Sequence, residues 1–195
     1  MKTSIGLLVL TALSIAACNL NPTGTPTAQV EPTTASASSS SSVPMTTQVD
    51  EFSGVAFDYP TGWTVSPPPA QPAVAYSYSL GSFDFLNPSA VQSKSDQGVP
   101  DGETVIQVNF HAEDETLESI RGNLQSEVSN GTGKILKEQS RTMPDGAKAY
   151  YYEIQGMFEG TGYLLQTTVN GHTVSVVAYG EGDHFEDVVN SLRVA

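Results

Sequence analysis

From Glu103 to His111 apolar and polar residues alternate, with Ile106, Val108 and Phe110 on one side and Gln107, Asn109 and His111 on the other. A period of two predicts a half-buried strand. Val55 to Tyr59 interleaves Val, Phe and Tyr with small or polar residues, and Pro60-Thr61-Gly62 then turns the chain into Trp63-Thr64-Val65. Pro67-Pro68-Pro69 stops any ladder there, and two short strands are expected around Gly81, at Ala73 to Leu80 and Ser82 to Leu86, followed by a loop over 87–102. The period lengthens near Glu115 or Thr116, where Leu117, Ile120, Leu124 and Val128 recur at helical spacing behind an acidic start that suits the helix dipole. Asn130-Gly131 ends that helix. Three longer strands follow at Lys134 to Met143, Ala147 to Phe158 and Tyr163 to Val169, with turns at Pro144-Asp145-Gly146 and Gly160. Asn170-Gly171 marks a tight hairpin into His172 to Tyr179, because both residues tolerate positive φ. A closing helix is expected from Asp183, with Asp183 and Glu186 as reciprocal caps and Phe185, Val188, Val189 and Leu192 on its buried face. Seven or eight strands against two helices predict an α+β fold, a mainly antiparallel β-sheet flanked by helices.

The first 47 residues carry none of these periods. Met1 to Ser4 includes a positive charge at Lys2, and Ile5 to Ala17 is a 13-residue apolar or small stretch, shorter than the roughly 20 residues a membrane-spanning helix needs. It reads as an export signal, residues 1–17. Its end, Leu13-Ser14-Ile15-Ala16-Ala17-Cys18, resembles the bacterial lipobox, which implies that Cys18 is diacylated before cleavage. Two acyl chains hold a protein on a bilayer where one does not. The expected location is therefore a membrane surface on the extracytoplasmic side, with the lipid bilayer as first partner. Between Asn19 and Thr47, 17 of 29 residues are Pro, Ser or Thr and one, Glu31, is charged. Residues 18–47 are accordingly read as the lipidated cysteine and a solvated tether with a coil span of roughly 30 Å. The globular domain is assigned to 48–195, large enough for a core without staples.

Charge narrows the classes of partner. The chain holds 21 Asp plus Glu against 8 Lys plus Arg, a formal −13, and a nucleic-acid backbone would be repelled. With one cysteine there is no internal disulfide, zinc ribbon or paired redox motif.

Phe57-Asp58-Tyr59-Pro60-Thr61-Gly62-Trp63-Thr64-Val65 resembles the opening of PsbP-like domains, in which a strand ends at Tyr-Pro-x-Gly-Trp. Tyr59, Pro60, Gly62 and Trp63 form that signature here. The order of later elements is similar too, through Tyr150, Tyr152 and Tyr163 to a closing helix with Ser191-Leu192. The resemblance implies an α/β/α sandwich and a role in binding or assembly, as in the extrinsic photosystem II subunit and DcrB-like lipoproteins. Physically the same residues have a turn-forming role, with Trp63 expected in the core.

For chemistry the sequence offers little: no G-x-S-x-G elbow, H-E-x-x-H helix or phosphate-binding glycine loop occurs. His111, His172 and His184 are expected to be exposed or locally bonded. Glu113-Asp114-Glu115 and Asp183, Glu186 and Asp187 each begin a helix, and the last three are weak candidates for a metal ion, since they lack the alternating oxygens of an EF-hand loop. Tyr76, Tyr78, Tyr150, Tyr151 and Tyr152 offer a ligand groove, although alternation places Tyr150, Tyr152, Ile154 and Phe158 under a helix and Tyr151 on the other face with Glu153 and Gln155. No cofactor is expected. The reading is a membrane-anchored lipoprotein with a non-catalytic binding or assembly module and an envelope protein as partner. The alternatives are a metal-ion or small-ligand binding lipoprotein and, third, a hydrolase.

Overall fold

A computed structural model describes residues 43–69, 74–87, 99–156 and 160–195. Cys18, most of the tether and Phe158 lie outside the described residues. Among these residues the chain forms ten strands and two helices: β1 (Met45–Asp50), β2 (Val55–Pro60), β3 (Thr64–Ser66), β4 (Tyr76–Gly81), β5 (Thr104–Phe110), α1 (Leu117–Glu127), β6 (Lys134–Thr142), β7 (Lys148–Gln155), β8 (Thr161–Val169), β9 (His172–Gly180), α2 (Phe185–Ser191) and β10 (Arg193–Val194). After α1 the chain makes a wide turn over Val128–Thr132. Seven strands make one antiparallel sheet in the order β3-β4-β5-β9-β8-β7-β6, and β1-β2-β10 make a second.

The alternation read in β5 is met in full: Ile106, Val108 and Phe110 are buried while the residues between them are half-exposed. They join Leu80, Val174, Val176 and Leu165 in the main core, which Val55 and Phe57 of β2 and Phe185, Val188 and Val189 of α2 cover. On the opposite face Tyr150, Tyr152, Ile154 and Leu164 pack with Leu124 and Leu117 of α1. Thr116 caps α1, its hydroxyl accepting from the Ser119 N–H at 3.2 Å. Asn170 (φ 50°) and Gly171 (φ 81°) form the hairpin between β8 and β9.

Three readings are corrected. Ser82–Leu86 is not a strand: Ser82 bonds Thr104 in both directions, at 3.0 and 2.8 Å, and the Phe85 N–H then turns back onto the Phe83 carbonyl at 2.9 Å. Asp183 does not cap α2. His184 holds that position in the left-handed region (φ 62°), which leaves the Asp183 N–H to donate to Thr104 Oγ1 at 3.1 Å. Tyr151 lies on the face of β7 opposite Tyr150 and Tyr152, where alternation placed it, and is buried there against the ring of Phe185 because α2 covers that face. Met45–Thr47, read as tether, are the first half of β1, since a Thr-rich run also suits a strand once β2 supplies a register. The molecule is mostly antiparallel sheet with few helices, and the layer opposite α1 is shared between α2 and the three-stranded sheet.

Candidate functional site

Asp50 ends β1 with its side chain withdrawn from solvent. Burial works against its charge, yet four donors surround it. Oδ2 accepts from the Ser53 N–H at 2.8 Å, the Ser53 hydroxyl at 2.5 Å and the Tyr76 hydroxyl at 2.7 Å, while Oδ1 accepts from the Tyr78 hydroxyl at 3.0 Å. Together these bonds outweigh burial and hold the carboxyl below its ordinary value. Burial and the adjoining anion push both phenols above the usual tyrosine range. Tyr76 is thereby locked, and its ring stacks on Phe110 at 4.9 Å and meets Phe52 edge-on at 5.8 Å.

These three rings wall a cleft of about 570 Å³, a size that accommodates a small ligand or an inserted side chain. Val74, His111 and His172 complete the wall, and Glu113 and Asp114 stand at its rim. Neither acid makes a hydrogen bond or ion pair among the described residues. Among the described residues five of the six lysines and arginines are paired elsewhere, Arg121 with Glu138, Lys137 with Glu153, Arg141 with Glu186, Lys148 with Glu118 and Arg193 with Asp58, and the sixth, Lys134, is exposed at the start of β6 and does not line the cleft. The cleft thus combines an aromatic wall with two acids that are unpaired among the described residues, which favours a cationic group through both Coulomb attraction and the ring faces.

The sequence-predicted site residues fall elsewhere. Glu186 is held by Arg141 Nη1 at 2.8 Å to each oxygen, and Asp187 accepts from, or pairs with, His184 Nδ1 at 2.7 Å. Asp183, Glu186 and Asp187 are not drawn together, and among the described residues no group of three His, Cys, Asp or Glu could hold a metal ion. Of the tyrosines, Tyr76 alone lines the large cleft. Pro60 is buried, Tyr59 and Trp63 pack half-buried against the main core, and Gly62 (φ 92°) makes the turn between them. His111 is locally bonded, Nε2 to the Ser175 hydroxyl at 2.5 Å.

Sequence reasoning missed Asp50 and the anchoring of the signature strand. Asp58 sits between β1 and α2, its N–H donating to the Ser191 hydroxyl at 2.7 Å and its carboxylate accepting from both Arg193 Nη atoms at 2.9 and 3.1 Å. That guanidinium, with Thr47, holds the Asp58 carboxyl below its ordinary value against a modest effect of burial. Pairs 133 and 135 residues apart leave no local pattern to read.

No family model and no curated protein matches the chain. Among solved structures it is similar to the cyanobacterial PsbP (CyanoP) of Synechocystis sp. PCC 6803, with 17% identity and a TM-score of 0.47 over 80% of this chain and 96% of that one. It is also similar to a protein of unknown function from Pseudomonas aeruginosa, at 11% identity and a TM-score of 0.38, over 73% and 87% of the two chains.

Proposed function

We propose that the chain is a lipoprotein, anchored through diacylated Cys18 on the extracytoplasmic side of a membrane, whose globular part is a non-catalytic PsbP-like binding or assembly module. The Tyr59-Pro60-Thr61-Gly62-Trp63 signature and the order of elements support the PsbP-like assignment and its α/β/α layering. The observation that carries the binding role is the aromatic cleft with its acidic rim, unpaired among the described residues. Its wall is fixed in advance by the Asp50 network, so little ordering is lost when a partner enters. The partner is an envelope protein that presents a cationic side chain to Glu113 and Asp114.

The anchor and the cleft are tested separately. Mass spectrometry of the mature wild-type protein should show Cys18 carrying two acyl chains, and Cys18→Ser should remain unprocessed; an unmodified Cys18 refutes the anchor. Capture from solubilised native membranes should recover a partner with wild type and lose it with Glu113→Lys/Asp114→Lys. Its association rate should fall as salt rises from about 0.01 to 0.1 M, where the Debye length shrinks from about 30 to 10 Å. A partner retained by the double variant at an unchanged rate refutes the role of the cleft.

A further inference from the structure

On the α1 face of the seven-stranded sheet His111 links a hydroxyl to a carboxylate. Its Nδ1 lies 3.4 Å from Glu115 Oε2, and its Nε2 lies 2.5 Å from the Ser175 hydroxyl. An ionised carboxylate only accepts, so the imidazole proton belongs on Nδ1, and the bare Nε2 accepts from the Ser175 hydroxyl. That is the tautomer in which a histidine withdraws a proton from a serine. Glu115 is held in turn, its Oε2 accepting from the Ala112 N–H at 3.3 Å and its carbonyl from the Thr173 hydroxyl at 2.7 Å.

The same serine, otherwise buried, lines a cleft of about 280 Å³ between α1 and the sheet, at the small end of the range for ligand sites. Ser175 and Gln166 are directly opposite in the β8–β9 ladder, so their side chains leave the same face, and Leu164 and Val177 are the next pair on it. Gln166 shuts its Oε1 into the wall. The amide atom left accessible is Nε2, a donor with no partner among the described residues. Leu124 of α1 completes an apolar floor with Leu164 and Val177, and Glu115 and Glu127 supply negative charge at the walls. A nucleophile with its base, a carboxylate that orients the base, an amide donor and an apolar seat therefore meet at one cleft.

We infer that this cleft carries an esterase activity toward uncharged esters of short aliphatic acids, with Ser175 as nucleophile, His111 as base and Glu115 as the residue that positions His111. The acyl chain lies on Leu124, Leu164 and Val177, and an anionic acyl group is repelled by the two glutamates. Ser175 Oγ adds to the ester carbonyl as its proton passes to His111 Nε2, and the carbonyl oxygen, now negative, takes the Gln166 Nε2–H. Collapse breaks the bond to the alcohol oxygen, which leaves with the proton from Nε2, and an acyl-serine remains. Water then adds to the acyl carbon, giving its proton to Nε2, and the carboxylic acid departs as Ser175 regains that proton. Such an activity goes beyond the binding role of the larger cleft, and the non-catalytic description above then holds for that cleft alone. Its failure leaves the capture experiment untouched.

The detergent-solubilised full chain is treated with diisopropyl fluorophosphate, mapped by mass spectrometry, and separately assayed with p-nitrophenyl butyrate. The reagent should phosphorylate Ser175 with loss of fluoride, and the ester should be turned over. Ser175→Ala should lower kcat/KM by at least about a hundredfold, and His111→Gln, which leaves the serine a polar neighbour but no base, by a similar factor. Glu115→Gln should lower kcat by about tenfold with KM within about twofold of wild type, which marks a group acting through His111 and not on substrate binding. Labelling of the wild-type chain needs no variant, so it decides the matter even where a replacement unfolds the domain. Hydrolysis by wild type no faster than by Ser175→Ala, no label at Ser175, or an unchanged kcat in Glu115→Gln overturns the inference.

Discussion

Replacing Asp50 with Ala removes the acceptor of four hydrogen bonds at once. The Ser53 hydroxyl also accepts from the Val55 N–H, so it retains a partner, and Tyr76 is close enough to the surface to find water. The Ser53 N–H and the Tyr78 hydroxyl are buried and have neither option. At about 1–3 kcal/mol for each buried orphan, Asp50→Ala should cost about 3–5 kcal/mol. With an m-value of about 2 kcal/mol/M, its urea midpoint falls by about 2 M at pH 7. Asp50→Asn keeps one acceptor oxygen and offers an amide to a phenol that can accept, so it loses charge assistance alone and should cost about 1–2 kcal/mol.

Acid separates this account from simple loss of packing. Asp50 has an ordinary value of 3.8, and the fold holds it lower. Its contribution is therefore fully present above a pH of about 4 and is lost as pH falls through the folded value. Other carboxyls titrate alike in both proteins, so the gap between wild type and Asp50→Ala should narrow from pH 5 to pH 2. A midpoint for Asp50→Ala within about 0.3 M of wild type at pH 7, or a gap that is constant or widens in acid, would refute the buried-anion argument.

Trp63→Ala should cost about 1–3 kcal/mol by far-ultraviolet circular dichroism, below the toll of a fully buried indole, because Trp63 is half-buried with His184 at 5.9 Å. Gly180→Ala should destabilise by about 2 kcal/mol or more in urea, since φ is +78° and the added methyl meets the Glu103 carbonyl; Gly62→Ala, with φ +92° in open space, should cost about 1–2 kcal/mol. Arg193→Ala should lower stability by less than about 1 kcal/mol, because the pair is partly exposed, yet an NMR titration should show the Asp58 carboxyl rising toward 3.8.

Periodicity identified β5, with one face in the core and one half-exposed, and it sorted β7 correctly between two buried faces, Tyr150 and Tyr152 toward α1 and Tyr151 toward α2. Alternation specifies a face but not what covers it. Tyr151 shows the difference, since its burial depends on α2, which follows 34 residues later. The Asn170-Gly171 hairpin was legible because positive φ is a local demand. β1 was not read as a strand, because Thr46 and Thr47 read equally as tether and its pairing partner decides the matter. At the site, Tyr76 and the acids of Glu113 and Asp114 were visible as residues. Their convergence was not, because Asp50 meets its tyrosines across 26 and 28 positions.

The three-stranded sheet also sets how the domain responds to tension. β1 and β10 flank β2 and both run antiparallel to it, so Met45 lies beside Pro60 at one end of β2 while Val194 lies beside Val55 at the other. A pull on the residues preceding Met45, taken up at Val194, is directed along the strand axis and in opposite senses on the two flanks of β2. In that shear geometry the pairs from Met45↔Pro60 to Asp50↔Val55 share the force and must slip together, whereas a pull across the strands would open them one after another.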